Sequence, residues 1–291
     1  MKLAFIVQRY GTEILGGSEY HCRLIAERLA LRHEVEVLTT CAQDYVTWKN
    51  AYPEGEDRVR GVTVRRFANS ETREIKEFNK FSDWIFHNPH TDDDEVEWLR
   101  RQGPWCPALI KYLEQYATTY DALIFFTYLY APTVLGLRVA PSRSILVPTA
   151  HDEPAIQLKI YRDMFTLPAG IAYNTAVERQ FLKSNFTIRA VSEEIVGCGV
   201  DVRQVDPFAG LICANPARTI RIVQRRVRLT IRPTQISADA GCSLAEDRIS
   251  ARRISSNRQC VAVVSGHDNK GFREINGFSS CADRLVKSIR V

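Results

Sequence analysis

The strongest constraint on the fold is an alternation of short apolar runs with helical segments through the first 200 residues. Lys2 to Gln8 is a continuous apolar run, typical of a strand buried on both faces of a parallel sheet. Gly16-Gly17-Ser18-Glu19 then opens a helix with Ser18 as its predicted N-cap, and one apolar stripe runs along it through Tyr20, Leu24, Ile25 and Leu29. Repeated strand–helix–strand units predict an α/β fold with a Rossmann-like, doubly wound parallel sheet.

The other predicted elements continue this alternation. The remaining strands are expected at His33 to Thr39, Gly61 to Phe67, Asp121 to Phe126, Ser144 to Pro148, Gly170 to Asn174 and Val191 to Val200. The remaining helices are expected at Arg73 to Phe86, Asp92 to Arg101, Pro107 to Ala117, Ala131 to Val139, Pro154 to Phe165 and Thr175 to Ser184. The acidic run Asp92 to Glu95 could suggest a metal site, but carboxylates in the first turn of a helix oppose its dipole and stay solvated. We therefore predict no metal.

Composition places the chain among ordinary globular proteins, with 45% hydrophobic and 25% charged residues. The longest uncharged run lies between Asp121 and Arg138, contains Pro132 and is shorter than the roughly 20 residues of a membrane span. The N-terminus has no signal-peptide core, and the 8 cysteines form no C-x-x-C pair. These features predict a cytoplasmic protein with reduced thiols.

Charge and aromatic content change abruptly near residue 201. Residues 1–201 hold 23 basic and 27 acidic residues, whereas residues 202–291 hold 16 basic and 7 acidic ones. The first part also has all 4 Trp, all 11 Tyr and 10 of the 13 Phe. We therefore expect a domain at 1–201 and a poorly folded or aberrant, irregular, Arg-rich basic tail at 202–291. A shifted reading frame would explain the change, while a net charge of +9 also permits binding to nucleic acid or an anionic membrane surface. The tail has no recognised nucleic-acid motif, so we expect no specific nucleic-acid partner.

Two short segments are candidates for a functional site. Gly16 and Gly17 would let the backbone approach a ligand, and the N–H groups of a helix N-terminus suit an anion such as phosphate. Their spacing fits neither a dinucleotide fingerprint nor a P-loop, so a plain tight turn explains it equally well. His151-Asp152-Glu153-Pro154 follows a predicted strand, at the carboxyl end where open α/β sheets bind ligands. The alternative for His151 is a helix cap or a loop hydrogen bond.

Five segments in this order resemble the N-terminal domain of glycosyltransferase family 4. They are Lys2 to Val7, Gly16 to His21, His151 to Pro154, Tyr173 to Glu178 and Gly197 to Asp201. The resemblance covers about residues 1 to 201 and implies the N-terminal, acceptor-side half of a GT-B fold. Enzymes of this family transfer a sugar from a nucleotide-sugar with retention of configuration, usually without a metal. No cofactor is therefore expected besides the nucleotide-sugar as co-substrate.

The resemblance also implies roles for individual residues. Gly16 and Gly17, with Ser18 beside them, would face the donor diphosphate or the acceptor, and His151 would be the catalytic residue that stabilises charge at the anomeric centre or orients the sugar. The expected partners are a nucleotide-sugar and a glycan, lipid-linked or small-molecule acceptor, with peripheral membrane contact left open. These roles agree with the principle that preorganised N–H donors stabilise a departing diphosphate.

The second half departs from the family pattern. The Glu-x7-Glu motif of the donor domain is absent, since the only glutamates after Asp201 are Glu246 and Glu274, and Lys270 lacks the preceding basic partner. The remaining 90 residues are also fewer than the roughly 150 that a donor domain needs. We therefore expect a truncated hexosyltransferase whose donor domain is missing, and whether this chain is an enzyme stays open. The alternative is a catalytically inactive module that binds an acceptor or another ligand.

Overall fold

The computed structural model describes residues 1–199 and the backbone of two further strands, at 220–224 and 227–231. The strands within residues 1–199 are β1 (Lys2–Ile6), β2 (Glu34–Thr40), β3 (Gly55–Val59), β4 (Val62–Phe67), β5 (Ala122–Phe126), β6 (Ser144–Val147), β7 (Gly170–Tyr173) and β8 (Ser192–Ile195). The helices within the same residues are α1 (Gly17–Leu29), α2 (Ile75–His87), α3 (Asp92–Gln102), α4 (Pro107–Tyr116), α5 (Ala131–Gly136) and α6 (Ala176–Asn185). The α/β prediction is confirmed.

The eight strands form one sheet in the order β3-β4-β2-β1-β5-β6-β7-β8, and every neighbouring pair except β3 with β4 is parallel. The chain builds outward from β1 to β2 and β4, then returns to place β5 on the other side of β1. The order therefore reverses between β1 and β5, and such a switch point leaves a crevice at the carboxyl ends of the strands.

Side chains of the central strands alternate between two cores. Leu3 and Phe5 of β1 pack into the core on one face, while Ala4 and Ile6 pack into the core on the other. Helix α1 contributes to the first core, and helices α2 to α6 contribute to the second. Helices therefore cover both faces, which is why the central strands are apolar throughout rather than alternating with polar residues.

Two predicted elements differ from the structure, and one element was not predicted. The helix predicted at Pro154 to Phe165 is instead three short 3₁₀ segments, Pro154–Gln157, Lys159–Tyr161 and Met164–Thr166. Leu158 between the first two is extended, with ψ 142, so the helical periodicity is broken there. Of the strand expected from Val191 to Val200, the described residues form only β8, and the antiparallel strand β3 was not predicted.

In the acidic run at the start of α3, Asp92 and Asp93 are exposed as predicted, but Glu95 is 5% exposed and accepts hydrogen bonds from the N–H groups of Lys159 and Ile160. Thr91 caps this helix, and its hydroxyl accepts a bond from the Asp94 N–H while the Asp94 carboxylate accepts one from the Thr91 N–H. In the part of the chain that the structure describes, no group of acidic, histidine or cysteine side chains is arranged to hold a metal ion.

Most of the predicted basic tail, including Lys270, Glu246 and Glu274, lies outside the described residues. Within it the structure describes an antiparallel pair, β9 (Ile220–Gln224) and β10 (Val227–Ile231). The sequence predicted no element there because windows of ten residues average over strands of only five. The boundary at residue 201 stays a prediction.

Candidate functional site

The glycine segment lies at the carboxyl edge of the sheet, beside the switch point between β1 and β5. Gly16 is the N-cap of α1, with φ −65 and ψ 142, and Gly17 is the first helical residue. Since Gly16 has no side chain, the N-cap residue makes no side-chain hydrogen bond to the first turn of α1. Its first N–H groups are therefore placed at the edge where open α/β sheets bind ligands.

Ser18 is not the N-cap that the sequence predicts. It is the second residue of the helix, and its hydroxyl lies 2.5 Å from that of Thr127, directly after β5. The glycine at position 16 lets the helix begin two residues earlier than a serine cap would allow. Ser18 therefore joins the loop after β1 to the loop after β5 rather than capping the helix.

A buried ion pair fixes the start of α1. The Arg9 guanidinium donates two hydrogen bonds to Oε1 of Glu19, from Nε at 3.0 Å and from Nη2 at 2.5 Å. The Glu19 carboxylate folds back over Gly16, so that a Cβ at position 16 would lie 2.0 Å from Oε2. Gly16 is therefore required by the close approach of a neighbouring carboxylate, a reason that the sequence pattern alone does not reveal.

His151 lies in the loop after β6, at the same edge. Its side chain is 56% exposed, and its Nε2 lies 3.5 Å from Oε2 of Glu153. Glu153 in turn accepts a short hydrogen bond from the Tyr128 hydroxyl, next to Thr127. The loop of His151 is thus joined to the first turn of α1 through the segment after β5. His151 is available to a ligand and is not part of the core.

Glu178 belongs to this edge, although the sequence analysis assigned it no role at the site. It is 6% exposed in the first turn of α6. Its carboxylate accepts hydrogen bonds from the N–H groups of Ala150 and Asn174, both at 2.6 Å. Burial raises the pKa of Glu178 to about 7, although backbone N–H groups oppose the shift. The signal in the sequence was Thr175 followed three residues later by an acid, which predicts a helix cap.

The sequence analysis also assigned no role to the loop after β2, which carries exposed apolar side chains. Tyr45 is 58% and Val46 is 38% exposed. Buried Arg73 holds the loop by donating to the carbonyl oxygens of both residues. The Arg9 guanidinium lies 5.3 Å from the centre of the Tyr45 ring and donates to the Gln43 carbonyl. Tyr45 is therefore presented near the start of α1 by a firmly held loop.

Three of the four thiols in the described part fit the sequence prediction, and the fourth, Cys198, is exposed. Cys22, Cys41 and Cys106 are buried free thiols, and burial raises the pKa of each. They therefore act as small apolar side chains at neutral pH.

Comparison with known proteins gives a likeness of fold only. No family model matches the chain, and no curated protein matches it. Two structures of the sucrose-phosphate synthase from Thermosynechococcus elongatus match with a TM-score of 0.43. The first is 10% identical, over 69% of this chain and 48% of that one, so this chain spans about half its length. The second is 11% identical, over 69% of this chain and 91% of that one.

One further finding concerns membranes. Among the helices that the structure describes, none combines the length and the apolar content needed to cross a bilayer. The predicted cytoplasmic location stays a prediction.

Proposed function

We propose that residues 1–201 are the acceptor-binding half of a glycosyltransferase that moves a sugar from a nucleotide-sugar to an acceptor with retention. One observation carries the proposal most directly. The segment Gly16 to Ser18 and the loop of His151 lie at one edge of the sheet and are joined by the bonds of Ser18 to Thr127 and of Tyr128 to Glu153. The resemblance of the same segments to glycosyltransferase family 4 supports it.

The proposed chemistry needs little from the protein besides binding and electrostatics. A bond forms between an acceptor oxygen and the anomeric carbon as the bond from that carbon to the diphosphate oxygen breaks. The proton of the acceptor passes to the departing phosphate, and the sugar is delivered on the face from which the diphosphate leaves. Negative charge grows on the diphosphate, where the N–H groups at the start of α1 would stabilise it.

His151 would act on the transferred sugar. Because its side chain is more than half exposed, it can contact a ligand without a change in the core. The nearby Glu153 carboxylate, whose Oε2 lies 3.5 Å from Nε2, would orient the ring. A ring held in this way would hydrogen-bond the sugar or stabilise the charge developing at its anomeric carbon.

The alternative is a catalytically inactive module that keeps only the acceptor site. It is tested beside the first proposal because no Glu-x7-Glu motif, which the family resemblance would provide for holding the donor, stands after Asp201. Both proposals predict acceptor binding at the carboxyl edge. They differ in whether the full chain transfers a sugar.

The test is a titration of the full-length, ¹⁵N-labelled chain with nucleoside diphosphates, nucleotide-sugars and a panel of mono- and oligosaccharides. We expect shifts at the amides of residues 16–18 and 149–153. Incubation with radiolabelled nucleotide-sugars then measures transfer. His151→Ala should lower any transfer at least tenfold, about 1.4 kcal/mol of transition-state stabilisation.

The matched control is His87→Ala. His87 lies at the end of α2 and its side chain is 72% exposed. Saccharide binding without transfer would favour the inactive module. If neither nucleotides nor saccharides shift the amides of this edge, both forms of the proposal are wrong.

A further inference from the structure

Glu178 connects the loops that follow two neighbouring strands. One carboxylate oxygen accepts a hydrogen bond from the N–H of Ala150, after β6, and the other accepts one from the N–H of Asn174, after β7. Both bonds are 2.6 Å long, and the residue is 6% exposed. A buried carboxylate whose two oxygens serve different loops fixes their relative position.

This arrangement exceeds what capping of α6 requires. The N-cap is Thr175, whose hydroxyl accepts a bond from the Glu178 N–H at 3.0 Å. A capping box would need only that the carboxylate also accept a hydrogen bond from the N–H of Thr175. The bond to Ala150 spans 28 residues and leaves the helix altogether. The carboxylate therefore has a second task besides starting the helix.

The bond to Ala150 ends one residue before His151. Thr149, two residues before His151, adopts φ 53, a left-handed conformation that a β-branched residue rarely takes without support from its surroundings. Its N–H is also among the backbone groups that face the Glu178 carboxylate. On the other side of His151, Glu153 is held by the Tyr128 hydroxyl. His151 thus lies between two anchored points.

We propose that Glu178 is the positioning residue of His151: by binding the N–H of Ala150 it sets where the imidazole stands at the carboxyl edge. The inference rests on the proposed function, because it assigns Glu178 a part in the same site. Glu178 acts through the loop and does not touch the substrate.

The charge state of Glu178 controls this contact. An ionised carboxylate accepts both bonds, whereas a protonated one has a hydroxyl that cannot accept as well and must find an acceptor of its own. Burial raises the pKa of Glu178 to about 7, so the contact weakens as the pH falls through neutrality. The other titratable groups on the segments around it are His151 and Asp152 in the loop, Tyr173 on β7 and Arg179 on α6. Tyr173 donates its hydroxyl to Glu193, and Arg179 also faces Glu193.

The first experiment follows the full-length, ¹⁵N-labelled chain from pH 5 to pH 9. In the wild type, the amide protons of Ala150 and Asn174 should shift together with one midpoint near 7, because both bond the same carboxylate. In Glu178→Gln this shared step should vanish, and amide hydrogen exchange at residues 149–152 should become at least tenfold faster. Glu194→Gln, on the edge strand β8, is the matched control and should change neither.

Two results would overturn the positioning role whatever the chain does as an enzyme. One is that the two amides titrate independently or not at all in the wild type. The other is that exchange at residues 149–152 is unchanged in Glu178→Gln. If the glutamine variant fails to fold, the wild-type titration still decides the matter, and Glu178→Asp, which keeps the charge but shortens the reach, replaces it in the exchange measurement.

The second experiment uses the transfer assay. Glu178→Gln should lower kcat at least fivefold with KM within a factor of two, and should have no further effect in a His151→Ala background. If Glu178→Gln exchanges faster at residues 149–152 but keeps its kcat, the contact between Glu178 and the loop is confirmed and the catalytic role of His151 is wrong. Additive losses in the double variant would instead show that Glu178 does not act through His151.

Discussion

The hydroxyl oxygens of Ser18 and Thr127 lie 2.5 Å apart, although 109 residues separate them in the chain. The bond crosses the point where the strand order reverses, between β1 and β5. It joins the first turn of α1 to the loop that leads to Tyr128. The two sides of the crevice are therefore held together by side chains as well as by the sheet.

Replacement of Ser18 by Ala and of Thr127 by Val should therefore show coupling. A neutral hydrogen bond contributes about 1 kcal/mol to the free energy of unfolding, and valine keeps the branched shape of threonine while it removes the hydroxyl. In a double-mutant cycle, we expect the sum of the losses in the two single variants to exceed the loss in the double variant by about 1 kcal/mol. Urea denaturation of all four proteins measures this, and strictly additive losses would contradict it.

Gly16→Ala should destabilise the start of α1. The backbone at position 16 has φ −65, which alanine adopts without strain, so any effect comes from the added Cβ. That atom would lie 2.0 Å from Oε2 of Glu19, which is 5% exposed and bound to Arg9. Displacement of the carboxylate should cost about 1–3 kcal/mol, as overpacking of a buried site does.

Gly170→Ala on β7 is the matched control for that substitution. There the added Cβ would lie 3.4 Å from Cγ1 of Ile145, an ordinary van der Waals contact. Thermal unfolding of the two variants should show the larger loss at position 16. Equal losses of stability in the two variants would mean that the Glu19 carboxylate moves aside freely, so that position 16 does not require a glycine.

Buried His21 should make the fold sensitive to acid. Burial lowers the pKa of His21 to about 4, and in the unfolded chain the ordinary value is about 6.5. Because the folded state has the lower pKa, its contribution to stability is complete above pH 6.5 and is lost as the pH falls towards 4. That loss is about 3 kcal/mol.

The measurement is the free energy of unfolding at several pH values between 4 and 7, in the wild type and in His21→Gln. The wild type should lose about 3 kcal/mol more than the variant over this range. His87→Gln on the exposed surface of α2 should follow the wild type. Parallel curves for the wild type and His21→Gln would contradict the prediction.

Arg73→Met should loosen the loop after β2. Arg73 donates to the carbonyl oxygens of Tyr45, Val46 and Gln102, and a methionine leaves these groups without a donor. Hydrogen exchange at residues 43–48 should become at least tenfold faster. Arg101→Met is the control, because that guanidinium is 43% exposed and pairs with Glu97. An unchanged exchange rate would contradict the prediction and show that the remaining contacts, among them the Asp44 carboxylate on the N–H groups of Val46 and Thr47, hold the loop without this guanidinium.

The central strands could be predicted because a strand that is buried on both faces has apolar residues along its whole length. Strands β1 and β5 are covered on both faces, so each is a continuous apolar run. The place of the candidate site followed from the same pattern, since the loops after parallel strands gather at one edge. Both results depend on local sequence and on a rule of topology, and neither needs knowledge of a particular distant contact.

The errors arose where a distant partner decides the local structure. Between Pro154 and Phe165 the apolar spacing favours a helix, but the N–H groups of Lys159 and Ile160 bind the Glu95 carboxylate on α3. Strand β3 is Gly-Glu-Asp-Arg-Val, with too few apolar residues to indicate a strand. It forms because it pairs with β4, where Arg65 and Arg66 bind Glu56 and Asp57. Glu178 was missed for the same reason. The local sequence of α6 gives no sign that its carboxylate accepts a bond from the distant Ala150 N–H.

The two edges of the described sheet also affect how copies of the protein meet. The outer strands are β3, with Glu56 and Asp57, and β8, with Glu193 and Glu194. A strand edge presents unpaired backbone groups that another chain could join. Arg65, Arg66 and Lys183 partly neutralise Glu56, Asp57 and Glu193 within one molecule. Two copies that paired edge to edge would still bring carboxylates from both molecules together, which is unfavourable while they are ionised. The acidic edges therefore oppose growth of the sheet from one molecule into the next at neutral pH, and acidification would remove that protection.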